Sequence, residues 1–187
     1  TGAPVQGYRA PGFTITRETL WALPILAEEG YTYDSSVVPI RHDHCGLPGS
    51  DPWHHLKQTS SGPIWEVPPS TVNLGGVRLP IAGGSYFRPL PFPALCGLMR
   101  RIEQKGRPLV MYFHPWELDP HQPHMEGPFL SKMFHYMNLD KMEFRMSTLM
   151  NTFRFGSIAE QIDLSPIMPI DPAVFPTTPA EIAQDVV

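Results

Sequence analysis

The stretch Leu109-Val110-Met111-Tyr112-Phe113-His114-Pro115-Trp116-Glu117-Leu118-Asp119-Pro120 changes character at one residue. An apolar run stops at His114, and Glu117 and Asp119 follow at once. A short apolar run bounded by turn residues has the length of a buried strand. A strand ending on an ionisable side chain delivers that group to the rim of its sheet. In open parallel sheets and α/β barrels, ligands and catalytic groups collect at that rim. The stretch therefore predicts an α/β fold with His114 as a site residue. The plainer alternative is a partly buried histidine bonded to nearby backbone.

Outward from this stretch, composition bounds the class. The chain has 187 residues, 42% hydrophobic and 17% charged, enough for one globular domain with a core. A net charge of −4 gives no electrostatic reason to expect nucleic acid or an anionic membrane surface as partner. No apolar run approaches the roughly 20 residues of a membrane span. Thr1-Gly2-Ala3-Pro4 does not open a basic-then-apolar leader, so no signal peptide is expected. Cys45 and Cys96 make no disulfide framework and fit a reducing, cytoplasmic location. The 23 prolines predict short elements joined by stiff loops.

Patterning predicts the following order. Val5 to Arg9 reads as a strand. Arg17 to Glu28 reads as a helix capped by Thr16 and ended by Gly30, with Pro24 forcing a kink or a late start. Tyr31 to Val38 reads as a strand, Ile40 to Ser61 as a long loop, and Trp65 to Val67 as a strand end. Val72 to Leu79 and Ser85 to Arg88 read as a hairpin across Gly83-Gly84. Pro93 to Lys105 is a helix with Leu95, Leu98, Met99 and Ile102 on its apolar stripe. The third helix, capped by Asn138, carries Leu139, Met142, Met146, Leu149 and Phe153 at spacings of three and four. Residues 163–187, rich in proline, read as a linker or disordered tail.

Six segments, in order, carry a resemblance: GYRAPGFTIT (7–16), YDSSVVPIRHDHCGLPG (33–49), IWEVPPSTV (64–72), GGSYFRPLP (83–91), YFHPWELDP (112–120) and NLDKMEFR (138–145). Together they resemble the C-terminal half of polysaccharide deacetylases of the NodB-homology class, in particular the subgroup from bacterial exopolysaccharide gene clusters. The resemblance covers about residues 5 to 162. It implies a distorted (β/α) barrel with an inserted β-hairpin and a C-terminal helix. It also implies a hydrolase that uses a divalent metal, usually zinc, to remove N-acetyl groups from an amino sugar of an acetylated polysaccharide. On this resemblance His114 is the catalytic acid. Arg9 pairs with and ionises the catalytic base, Pro11 and Phe13 shape the groove, and Tyr112 lines the acetyl pocket.

One departure from the family pattern matters. The family carries its base and metal ligands in motifs ahead of Arg-x-Pro, whose counterpart here begins at Arg9. The chain is therefore expected to be the half with the acid and the arginine, to hold no metal itself, and to need a missing N-terminal half as partner. A polysaccharide-binding or assembly module without catalysis is the rival expectation.

Other candidates are weighed against plainer roles. His42, His44, Cys45, His54 and His55 are metal-ligating types, but their spacing matches no closed zinc module. A loop bordering the sugar groove, with His42 and Asp43 as polar contacts, is the better reading. Trp116 and Trp65 could stack on sugar rings or fill core. For Glu66, Glu117 and Asp119 a solvated or capping role is the default. Gly75-Gly76 reads as a turn, since no Gly-Lys-Ser/Thr follows it.

Overall fold

The computed structural model describes residues 2, 4–42 and 45–161. Its architecture is mixed α/β, as patterning predicts. Strand β1 (Gly7–Tyr8) leads through a 3-10 turn at Pro11–Phe13 to helix α1 (Ala22–Glu28). Strands β2 (Tyr33–Asp34), β3 (His55–Thr59) and β4 (Gly62–Glu66) complete a four-stranded sheet of order β1-β2-β4-β3. β1, β2 and β4 run parallel, while β3 is antiparallel to β4.

α1 takes the late start. Residues 17–21 form turns, and Pro24 falls in the helix's first turn, where its missing N–H is not needed. Thr19, rather than Thr16, supplies the side-chain bond at this end, accepting from Thr16 N at 2.8 Å. Gly30, at φ 83°, stops the chain as expected. Leu23 and Leu26 bury against Ala10, Ile15, Val37 and Ile64, so one core lies between α1 and the sheet.

Two expectations need correction. The loop expected over Ile40 to Ser61 contains β3, which pairs with β4 from His55↔Glu66 to Thr59↔Gly62. His-Leu-Lys-Gln-Thr lacks apolar alternation because β3 is an edge strand, held by main-chain bonds and by Thr59 Oγ1 donating to Gly62 O at 2.5 Å. The hairpin sits earlier than expected. β5 (Thr71–Leu74) pairs with β6 (Val77–Pro80) across Gly75-Gly76, both at positive φ, the conformation tight hairpin turns demand. Residues 84–87 instead form a helical turn, α2 (Gly84–Phe87).

Helix α3 (Phe92–Glu103) buries Leu95, Met99 and Ile102, with Arg100 and Arg101 in its last turn, where the helix dipole favours cations. The run at Leu109 to Phe113 is extended but makes no regular ladder. Val110 O accepts from Ser70 N at 2.9 Å and Tyr112 N donates to Ala82 O at 2.8 Å. Its alternation still sorts the side chains. Leu109, Met111 and Phe113 face the second core, while Val110 faces a small cluster with Val67.

Gly83 sits at φ 144° and bridges to Tyr112, where an added Cβ would run into the Tyr112 carbonyl. We expect Gly83→Ala to cost about 1–3 kcal/mol. Equilibrium denaturation would measure this, and an unchanged midpoint would refute it.

A 3-10 turn at Pro115–Leu118 leads to α4 (Phe129–Tyr136), which patterning did not predict. Asn138 sits in the left-handed region at φ 54° and caps nothing with its side chain, which donates instead to Arg88 O at 3.0 Å. A 3-10 turn at Leu139–Lys141 then leads into α5 (Met142–Thr152), and α6 (Ile158–Gln161) closes the described chain. Leu139, Met142, Leu149 and Phe153 are buried as their spacing predicts. Among the described residues, no helix is long and apolar enough to cross a membrane. The expected tail at 163–187 lies outside the described residues.

Candidate active site

Arg9, just after β1, and His114, just after the 109–113 run, are linked through the rings of Phe13 and Tyr112. Arg9 follows β1. Pro11 opens the 3-10 turn, and Gly12 and Phe13 take positive φ to reverse the chain. The reversal sets the Phe13 ring 5.7 Å from the Arg9 guanidinium and 4.8 Å from the Tyr112 ring, edge to face. Tyr112 contacts His114 at 5.9 Å, and His114 stacks with Trp116 at 5.8 Å. The structure thus brings Arg9, Phe13, Tyr112, His114 and Trp116 into one ring-lined row. Pro11 is exposed and stiffens the turn. His42 is exposed on the loop after β2, and Asp43 and His44 lie outside the described residues.

The Arg9 side chain is already engaged. Nε donates to Ser35 O at 3.0 Å and Nη2 to Ser35 Oγ at 2.6 Å. Ser35 Oγ donates onward to Val67 O at 2.6 Å, which joins the ends of three neighbouring strands. Arg9 is therefore held within this chain by Ser35. Burial lowers the Arg9 pKa and Asp34 opposes that shift, but a guanidinium stays charged throughout the physiological range. Burial, then the charge of Glu117, pushes the Tyr112 phenol up to about 12. It is a neutral hydroxyl at any working pH.

His114 itself is exposed. Its backbone is held from below. The Glu117 carboxylate accepts from His114 N at 2.9 Å, and Glu117 N donates to His114 O at 3.0 Å. Glu117 is 0% exposed and forms an ion pair with Arg88, also 0% exposed. Arg88 Nη2 donates to Phe134 O at 2.8 Å, and Arg145 Nη1 donates to Phe87 O at 2.8 Å and Arg88 O at 2.9 Å. The imidazole therefore stands on a buried, charge-paired scaffold while its ring faces outward.

Trp116 stacks on His135 at 4.3 Å and lies under the Arg88 guanidinium at 5.0 Å. Gln122 fixes the neighbouring loop. Its amide donates to Trp116 O at 3.0 Å and Asp119 O at 3.1 Å, so its carbonyl must accept from His135 Nε2 at 3.0 Å. His135 is thereby the tautomer protonated on Nε2.

A family model described as a domain of unknown function, DUF3473, matches residues 35–163. The chain belongs to the DUF3473 family. The DUF3473 match takes in Ser35, Arg88, Tyr112, His114, Trp116, Glu117 and His135, while Arg9, Pro11 and Phe13 precede it. No curated protein and no solved structure matches the chain.

Several residues of this DUF3473 site escape sequence reasoning. Arg88 sits in a stretch of aromatics and prolines, and a lone charge in such a run is the available signal. Glu117 does cap, as the default reading has it, but it is also one half of a buried ion pair. Glu66 is buried, not solvated. Trp65 packs beside Val67 and Val110 in the core, where His54 lies 6.0 Å away. Among the described residues, no group of three or more His, Cys, Asp or Glu is arranged to hold a metal ion.

Proposed function

We propose that this chain is the catalytic-acid half of a metal-dependent polysaccharide N-deacetylase, with a distorted (β/α) barrel completed by sequence outside it. The observation that supports this reading most is the convergence of Arg9, Phe13, Tyr112 and His114, from two distant motifs, in one ring-lined row. His114, exposed on a fixed backbone, can give a proton to a leaving amine. The Tyr112 and Phe13 rings form an apolar wall suited to an acetyl methyl group. The site does not itself fit a divalent metal. Among the described residues its exposed ligand type is one imidazole, the Arg9 guanidinium repels a cation, and the nearby carboxylates of Asp34 and Glu66 are buried. A metal, zinc on the resemblance, would be held by residues outside the described ones. Its chemistry would be to activate water and polarise the acetyl carbonyl. Cys45 and Cys96 are both free, as a cytoplasmic location would keep them.

The test is acetate release from N-acetylglucosamine oligomers. A protein that includes the metal-bearing segment should release acetate in a metal-dependent manner. The 187-residue chain alone should release none with zinc, cobalt or nickel. Release by the chain alone would overturn the division of labour and put ligands among His42, His44, Cys45, His54 and His55.

Arg9 gives a second handle. Ser35 occupies Nε and Nη2, which leaves Nη1 to meet the base carboxylate. A neighbouring cation holds a carboxylate pKa down, by about 1–3 pH units. Arg9→Met in the complete enzyme should therefore move the acidic limb of the kcat/KM profile to higher pH. An unmoved limb with normal activity would leave Arg9 a purely structural role.

A further inference from the structure

Beneath Arg9 the floor of the site holds two acids. Asp34 and Glu66 are register partners on the parallel strands β2 and β4, so both side chains leave the sheet on one face. They are 0% and 1% exposed. Asp34 is well served, accepting from Ser36 Oγ at 2.6 Å and Ser36 N at 3.0 Å. Glu66 Oε1 accepts from Val37 N at 3.1 Å. Glu66 Oε2 is buried and meets no donor among the described residues. Asp34 and Glu66 stand opposite each other in the register, both dry, and two ionised carboxylates cannot bond each other. A proton on Oε2 resolves both facts, because the orphan acceptor becomes a donor to Asp34.

We propose that Asp34 and Glu66 share a single proton at neutral pH, held between Glu66 Oε2 and the Asp34 carboxylate, so that the pair presents one negative charge to Arg9. Like charges this close and this buried do not both ionise. Burial first, then the charge of Asp34, raises the Glu66 carboxyl well above the ordinary range. Burial also raises Asp34, against the pull of its Ser36 and Glu66 bonds. Among the described residues, His55 on β3 stands opposite Glu66 in the register, Arg9 after β1 and Lys57 on β3 act on the pair, and Tyr33 and Tyr112 act on Arg9. Arg9 and the singly charged pair cancel. Full ionisation of both acids would leave the floor net negative against Arg9 alone.

The pair acts as a positioning device. Ala10 N donates to Ser36 Oγ at 2.7 Å, and that hydroxyl donates to Asp34. The residue after Arg9 therefore hangs on one acid, while Glu66 holds the chain at Val37. The pair binds its proton in the folded state at pH values where the separated carboxyls of the unfolded chain have lost theirs. Its contribution to stability is thus full below the ordinary carboxylate range and falls as pH rises above it. This inference stands without the deacetylase reading and needs no substrate.

Infrared spectra of the full chain in D2O at neutral pD test it. The wild-type protein should show the C=O stretching band of a protonated carboxyl. Glu66→Gln should remove that band, and Asp34→Asn should shift it, because the proton on Glu66 loses its charged acceptor. Glu160→Gln, at an exposed acid, should leave it in place. A wild-type protein without the band, a band that survives Glu66→Gln, or a band left unmoved by Asp34→Asn overturns the proposal. Denaturant unfolding gives a second reading if Glu66→Gln folds poorly in water alone. From about pH 5 to about pH 9 the wild type should lose stability relative to Glu66→Gln. Parallel curves for the two proteins would also overturn the shared proton.

Discussion

In the proposed deacetylase, replacing His114 by alanine is expected to lower turnover about 10²–10⁴-fold, the usual contribution of a positioned general acid. The fold should survive the change. Both bonds that seat residue 114, to the Glu117 carboxylate and from Glu117 N, involve its main chain and remain in alanine. The imidazole is exposed, so its removal opens no core cavity. KM should change less than kcat, because proton donation matters only as the leaving amine departs. Steady-state kinetics would decide the matter. Near-wild-type turnover in His114→Ala would remove His114 from the acid role and favour a binding module over an enzyme.

Arg88→Met is expected to cost about 3–5 kcal/mol of stability, because it strands the Glu117 carboxylate in a fully buried position. Domains of this size are stable by only about 5–15 kcal/mol, so the single variant should lose a large share of its stability and unfold at a clearly lower temperature. Three further contacts fail with it: the bond to Phe134 O, the guanidinium over Trp116, and the support of the His114 backbone through Glu117. Removing both charges should hurt less. Arg88→Met combined with Glu117→Leu leaves no unpaired buried ion, and replacing such pairs by apolar groups is often close to neutral. Thermal unfolding of the two singles and the double gives the coupling. Strictly additive losses would show that the two side chains do not act as a buried pair.

Much of the fold was legible along the chain. α3 and α5 follow from apolar spacings of three and four, and the same residues form their buried faces. The late start of α1 follows from Pro24, and Gly75-Gly76 was readable as a turn although the hairpin was placed at Gly83-Gly84. These features depend on neighbours a few residues away, and such neighbours are written in order. β3 was not legible, because an edge strand with one apolar residue is held by pairing with β4, not by burying a face. α4 was missed for a related reason: Phe129, Leu130 and Phe134 stay exposed, so no buried stripe marks it.

The candidate site divides in the same way. His114 stood out because an apolar run ends on it, and Arg9, Phe13 and Tyr112 stood out through motif order. What those motifs do to each other was decided only by tertiary structure. Arg88 and Glu117 are separated by α3 and the 109–113 run, and nothing in either local stretch names the other as its counter-ion. Asp34 and Glu66 become a coupled pair only through the parallel register of β2 and β4 and the dryness of the site they share. Local sequence determined which chemical groups this protein carries and which helices present them. Their partners, and therefore their charges, depend on burial and on contacts between distant segments, which exist only once the chain is folded.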